Sequence, residues 1–327
     1  MLKSILFFAL IFYFPVANVQ KIKEIRFVSW GFYAHRLINR QAIYALPDEL
    51  FRFYKPWLNF IEQHAIDPDK RRYAVKGEAE CHYIDLDVYE SYGKVSSGIL
   101  PRNWYDAKEC YPEDSLRSHG IGPWNTYHVF RRLQTAFEKH DSGRILKLTA
   151  DLGHYIGDMN VPLHSTRNYN GQLTNQHGIH ALWESFIPER SGSSYRVGGI
   201  RAVYLENPQR TIWDCVEKAH VQVQKVLHLE DSLSRKWEGN KYAFDKKGNT
   251  LSRVYRSDYV ASYEQAMNGM VEGFIQNAIY SFASLIFTAW VNAGQPDMIA
   301  FPINDTVENQ LFQDTQSSFL NKIREHE

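Results

Sequence analysis

The chain is predicted to be all-α, a single mainly helical domain, on three observations. Apolar residues recur at intervals of three and four through most of the text after Trp30, strand-like alternation is scarce, and helix start and stop signals sit where that periodicity begins and ends. Taken in order, Trp30 to His35 leads into a first helix that His35 opens. Trp124 to His140 is helical, with Pro123 just ahead of it, where a missing N–H is harmless. Ser142-Gly143 separates it from the next helix, Ile145 to Met159, and Ala181 to Phe186, Trp213 to Leu229 and Tyr259 to Val291 follow. Gly294 and Pro296 close the last one. Glu264, Gln265, Asn268, Glu272, Gln276 and Asn277 interrupt it, so it reads as a core helix and not a membrane span. Lys94 to His119, Arg190 to Gln209 and the charged stretch Lys236 to Arg253 read as loops. No Pro/Ser/Gly tract divides two cores and no repeat of solenoid period is present.

Composition bounds the function classes. Lys plus Arg number 37 and Asp plus Glu 37, so a strongly basic nucleic-acid coat and a polybasic membrane-surface protein are excluded. With 44% apolar and 23% charged residues the chain has material for a large core, and global disorder is excluded. The first residues, MLKSILFFALIFYFPVANVQ, place one Lys before an apolar run from Ile5 to Ala17, the layout of a secretory signal. That run is shorter than the ~20 residues of a spanning helix, so no stable membrane span is expected. Residues 1–29 are therefore read as signal and lead segment, 30–300 as the helical domain and 301–327 as a tail, in a secreted, periplasmic or cell-envelope protein. Three cysteines without CxxC spacing exclude thiolate zinc sites, and in an exported chain leave room for one bridge, Cys110 to Cys215.

The chemistry-bearing residues are concentrated in HYIGDMNVPLH, His154 to His164, and HGIHALWE, His177 to Glu184. His154 and Asp158 stand four apart in a helix, as do His180 and Glu184, so each pair is offset by only ~40° around its axis and both side chains can reach one ion. Pro162 ends the first helix, and His164, past that break, can turn back toward the same space. One such pair would read as a surface ion pair; two pairs and a third imidazole within about thirty residues point to a metal, and His with carboxylate and no thiolate suits catalytic zinc. A second cluster, IDPDKRRY from Ile66 and CHYIDLD from Cys81, brings Asp67, Asp69, His82, Asp85 and Asp87 close in sequence, His82 being a plausible further imidazole ligand. By pattern alone, Trp30 is a core aromatic and His35 a surface residue.

The ordered motifs WGxxxH, an Asp fifteen residues before the His of HYID, HYIGDxNxPLH and HxxWE resemble the zinc-dependent phospholipase C and S-one/P-one single-strand nuclease superfamily, over Trp30 to Glu184. The resemblance implies a helical trinuclear-zinc hydrolase. Asp67, His82, His154 and Asp158 would hold a first ion, His164, His180 and Glu184 a second, and Trp30, His35 and Asp158 a third, with Asp158 bridging. In that family the third ion is held by the α-amino group of a mature N-terminal Trp. Here Trp30 follows the charged lead Lys21 to Ser29 and a signal cut is expected nearer Ala17, so uncut Trp30 would offer only its carbonyl and amide. The implied reaction is phosphodiester hydrolysis, with Asp67 and Asp158 as catalytic carboxylates, Asp67 orienting or deprotonating the water. Asp85 is expected to fix a His tautomer and Tyr83 to contact substrate. Tyr83 and Trp183 favour a single-stranded nucleic acid. Glu184 as third ligand, Asn160 and the short interval from His164 to His180 favour a phospholipid, the reading preferred here. A secreted helical protein that only sequesters zinc is the rival of a different class.

Overall fold

The computed structural model describes residues 31–91, 100–247, 250–298 and 301; Trp30, the signal and lead segment and nearly all of the tail lie outside the described residues. The fold is mainly helical, 68% helix against 4% strand, as the periodicity implied. In chain order the helices are α1 (Phe32–Tyr44), α2 (Asp48–Tyr54), α3 (Leu58–Gln63), α4 (Asp67–Arg71), α5 (Leu86–Ser91), α6 (Trp104–Cys110), α7 (Glu113–Ser118), α8 (Gly122–Glu138) and α9 (Ser142–Asp158). There follow α10 (Ile179–Ala181), a π-helix (Leu182–Phe186), α11 (Ile187–Ser191), α12 (Pro208–His220) and α13 (Val223–Lys236). An antiparallel hairpin, β1 (Tyr242–Lys247) and β2 (Thr250–Tyr255), precedes α14 (Ser257–Met267) and α15 (Met270–Asn292).

The core is organised around α9, which packs against α1, α8 and α15. Asp141 caps its first turn by accepting from the Arg144 N–H, and Ile145, Leu146, Leu148, Leu152 and Ile156 are buried along it. Two glycines let α1 come close. A Cβ on Gly153 would lie 2.0 Å from Asn39 Oδ1, and one on Gly157 would lie 2.8 Å from His35 Nδ1. The i, i+4 pair His35 and Asn39 on α1 is thus seated in the groove left by the i, i+4 glycines of α9, and Asn39 Nδ2 locks the crossing by donating to the Ala150 and Ile61 carbonyls at 3.1 and 3.2 Å.

Several boundaries differ from the sequence reading. Tyr259 to Val291 is two helices, because Asn268 and Gly269 both take the left-handed conformation between α14 and α15. α15 is apolar and long enough to cross a bilayer, yet 67% of its most apolar window is buried inside the protein, which is the pattern of a core helix. Trp213 to Leu229 likewise falls into α12 and α13, and α6 and α7 occupy part of the expected loop before His119. The expected loop Lys236 to Arg253 holds most of the hairpin, which runs two residues past it to Tyr255, where Tyr242 pairs with Tyr255 and supplies the β propensity that its charged flanks concealed. The three cysteines are free thiols: Cys110 is exposed on α6, whereas Cys215 is buried with its sulfur 3.4 Å from Ser281 Oγ, so the expected bridge does not form.

Candidate metal centre

The last two turns of α9 carry the heart of the site. His154 and Asp158 are fully buried, and their Nε2 and Oδ2 atoms are 3.3 Å apart, one helical turn having brought them to the same side. His82 closes the short 3-10 helix Ala79–His82 and brings its Nδ1 to 2.9 Å from Asp158 Oδ2 and 3.0 Å from His154 Nε2. Asp69 Oδ1, on α4, borders this first group at 3.9 Å from both ring nitrogens and forms a further group with His35 and His154.

A second group forms beyond the break after Asp158. The chain leaves α9, enters the 3-10 turn Pro162–Ser165 and returns His164, whose Nε2 is 3.4 Å from Glu184 Oε2. His180 Nε2 is 2.6 Å from the same oxygen. Glu184 lies in the π-helix Leu182–Phe186, a wider coil that recurs at functional sites. Its other oxygen faces away: Oε1 is 3.6 Å from His35 Nε2, which is itself 3.4 Å from Asp158 Oδ1. His35, Asp158 and Glu184 thereby form a third group, and Asp158 and Glu184 each direct one oxygen to one group and one to another. Gly31 makes room for this: at φ 87° it has the left-handed conformation that glycine tolerates, and a Cβ there would lie 2.5 Å from Glu184 Oε1.

The ring orientations are held from behind. His154 Nδ1 donates to the Ala65 carbonyl at 2.9 Å, His164 Nδ1 to the His82 carbonyl at 2.6 Å and His180 Nδ1 to the Tyr169 carbonyl at 3.2 Å, which points each Nε2 at the cluster, where it offers a lone pair once the ring is neutral. Burial opposes charge on His154, but the Asp158 and Asp69 carboxylates outweigh it and raise its pKa to about 9. Burial likewise opposes charge on His164, while Asp158 and Glu184 hold its pKa up at about 9. Burial disfavours the Asp158 and Glu184 carboxylates too, and the facing imidazoles overcome it and hold both well below the carboxylate range. A small hollow walled by Ile38, Val161, Trp183, Phe274 and Ile275 adjoins His35 and Glu184 and keeps that flank of low polarity. The solvent-facing edge is marked by Asp69 and His180, whose side chains are 16% and 23% exposed where the other ligand candidates stay at 8% or less.

Of the residues singled out from the sequence, His35, His82, His154, Asp158, His164, His180 and Glu184 come together, and Trp30 lies outside the described residues. His35 is buried, against its pattern as a surface residue, because it stacks on His154 with ring centroids 4.1 Å apart. Asp67 belongs to none of the groups of candidate ligands among the described residues. Its oxygens bond to His64 Nδ1 at 2.5 Å and Lys70 Nζ at 2.8 Å, and Asp69 stands where Asp67 was expected. Positions i and i+2 of a helix point about 200° apart, so only one of the two can face His82 and His154. Burial works against the Asp67 carboxylate, but His64 and Lys70 prevail and hold its pKa below the ordinary value, which makes it a poor proton acceptor. Asp85 does not fix a ligand's tautomer: its carboxylate faces His119 Nδ1 at 3.4 Å, and backbone carbonyls do that work for His154, His164 and His180. Tyr83 is half-buried with its hydroxyl 3.4 Å from the Ser118 carbonyl.

Sequence reasoning missed Asp69 and the second role of Glu184. The text IDPDK contains both acids, and the spacing of fifteen residues to His82 pointed to Asp67, whereas Asp69 is the one whose oxygen lies 3.9 Å from His82 and His154. No protein-family model matches the chain, and a search of curated proteins returns no match.

Proposed function

We propose that the chain is a zinc-dependent phosphodiester hydrolase that holds three zinc ions and acts, outside the cytoplasm, on phospholipid in the manner of a phospholipase C. One observation carries the reading. A tetrahedral zinc with bonds of about 2.0–2.1 Å separates its ligand atoms by roughly 3.3–3.4 Å, and the nitrogen and oxygen atoms here bracket that separation, at 2.9, 3.0 and 3.3 Å among His82, His154 and Asp158, 3.4 and 3.6 Å around His35, 2.6 and 3.4 Å around Glu184 Oε2, and 3.9 Å at Asp69. Imidazole and carboxylate without thiolate are the donor set of catalytic zinc, and the partial exposure at Asp69 and His180 supports an open face where substrate and water enter.

Asp69, His82, His154 and Asp158 would hold the first ion, His164, His180 and Glu184 the second, and His35, Asp158 and Glu184 the third, with Trp30 as an added donor. Zinc bound there supplies Lewis acidity toward the phosphoryl oxygens and lowers the pKa of water into the neutral range. Asp158 and Glu184 fix the spacing of the three groups, since each spends one oxygen on each of two. Asp69, at the solvent edge and free of the Lys70 and His64 bonds that occupy Asp67, is the carboxylate placed to accept a proton from the attacking water.

Single-stranded nucleic acid is the second reading, favoured by Tyr169, which is 54% exposed and edge-on to His180 with centroids 6.3 Å apart, a ring face available for a base. Chelation, zinc add-back and assay on a generic phosphodiester test the reaction, and incubation with phosphatidylcholine beside single-stranded DNA tests the substrate. Zinc-restored hydrolysis with turnover of the lipid is expected. Stoichiometric zinc without hydrolysis of any of the three would leave a sequestering protein, and absence of zinc would end the proposal.

A further inference from the structure

Five imidazoles surround the cluster, and they are not held alike. His154, His164 and His180 each turn Nδ1 to a backbone carbonyl and Nε2 to the cluster. His82 is reversed: its Nδ1 faces Asp158 and His154, and its Nε2 is buried without a hydrogen-bond partner. One carboxylate faces that nitrogen. Glu78, the residue before the 3-10 helix Ala79–His82 and one turn from His82, puts Oε1 3.9 Å from His82 Nε2. That oxygen is fixed from other directions as well. Tyr155 donates its hydroxyl to it in a short hydrogen bond, and Arg71 Nη2 reaches it at 3.3 Å while Nη1 of the same guanidinium holds Asp151 at 3.1 Å. The Tyr155 ring stands edge-on to His82 at 5.5 Å, closing the space around it.

We infer that Glu78 is the positioning carboxylate of His82, accepting its Nε2–H across a gap that a shift of under an ångström closes, with Arg71 and Tyr155 holding the carboxylate in place. This rests on the zinc reading above and adds to it a residue outside the ligand set. A buried N–H beside an acceptor is costly to leave unmade, and a carboxylate behind a ligating imidazole fixes its tautomer and raises its basicity, which is worth roughly 10–100-fold in metal affinity. The guanidinium balances the carboxylate's charge, so the arrangement survives inside the protein.

Zinc affinity is measured by competition with a chromogenic chelator for the full chain, for Glu78→Ala and for Glu78→Gln, beside nitrogen-15 NMR of the imidazoles and thermal melts. Glu78→Ala is expected to weaken one of the three ions by roughly 10–100-fold, to leave the other two unchanged and to move the His82 ring signals alone. Glu78→Gln, which keeps an oxygen acceptor, is expected to recover most of that affinity and to hold the fold if the alanine variant melts early. Three unchanged zinc affinities and an unmoved His82 signal in either folded variant overturn the positioning role and leave the zinc reading standing. A parent chain that takes up no zinc overturns both.

Discussion

Two regions of this protein set histidine beside carboxylate, and they differ in kind. Around Asp85, a carboxylate with Asp87 nearby meets one imidazole, His119, at 3.4 Å, and the half-exposed ring closes a single long contact. Around α9, ring nitrogens and carboxylate oxygens from α1, α4, the 3-10 helix Ala79–His82, α9, the Pro162–Ser165 turn, α10 and the π-helix converge in groups, the atoms of each group all lying within 4.8 Å of one another. Backbone carbonyls steer three of those rings. The contrast shows what separates a candidate metal centre from a single contact between acid and imidazole. Three or more donors must share one small volume, and something outside it must decide which nitrogen each ring presents.

The largest test of that contrast is removal of a shared ligand. His154→Ala or Asp158→Ala is expected to lower phosphodiesterase activity by roughly 10³-fold or more, the several kcal/mol that a lost metal represents, while far-UV circular dichroism keeps its helical form. Activity that persists with zinc still bound would sink the ligand assignment.

A narrower test sets two neighbouring acids against each other. Asp69→Asn is expected to weaken zinc binding by at least the roughly 10–100-fold that loss of a residue behind a ligand costs, whereas Asp67→Asn should leave zinc content unchanged and lose only the bonds to His64 and Lys70. Equal zinc loss from the two variants would mean that the rotation of α4 assigned here is wrong.

Protons offer a third comparison. The pKa of His154 and of His164, each about 9, lies above the ordinary 6.5, so in metal-free protein their charged forms add stability that is complete below about pH 6.5 and gone once pH passes about 9. Zinc must displace those protons. Melting curves should therefore show metal-free Tm falling from pH 6.5 to pH 9, and the gain on adding zinc should be larger at pH 9 by roughly 5 °C. A zinc gain that shrinks as pH rises would contradict this.

The smallest effect belongs to the contact between Asp85 and His119. Burial, aided by the nearby Asp87 charge and opposed by His119, raises the Asp85 pKa to about 6, above its ordinary 3.8. An acid raised in the folded state loses stability for the protein as pH climbs from about 4 to about 6, because the unfolded chain ionises first. Asp85→Asn should then be more stable than the parent at pH 8, by about 1 kcal/mol once solvent screening is allowed for, with zinc content unaltered. Loss of zinc in this variant would join the two regions that the structure keeps apart.

Much of the centre was legible because its spacing is local. His154 with Asp158, and His180 with Glu184, are one turn apart, and helix periodicity brings such pairs together wherever the helix lies. Pro162 announced the break that returns His164. Asp69 was not legible in the same way, since a five-residue helix has no long apolar stripe to declare which face is buried. The hairpin was hidden by its charged residues, and the division of α14 from α15 by an Asn-Gly pair inside an otherwise continuous apolar period.

The amino-acid sequence by itself determined the helical class and the pairing of the candidate ligands, because hydrogen bonding within a helix sets their geometry over four residues. Tertiary packing decided the rest. It chose Asp69 over Asp67, buried His35 against the glycines of α9, turned the Nδ1 of His82 inward and divided the two oxygens of Glu184 between neighbouring groups. Each of those outcomes depends on how one element is rotated against another distant in the chain, and no local periodicity encodes that rotation.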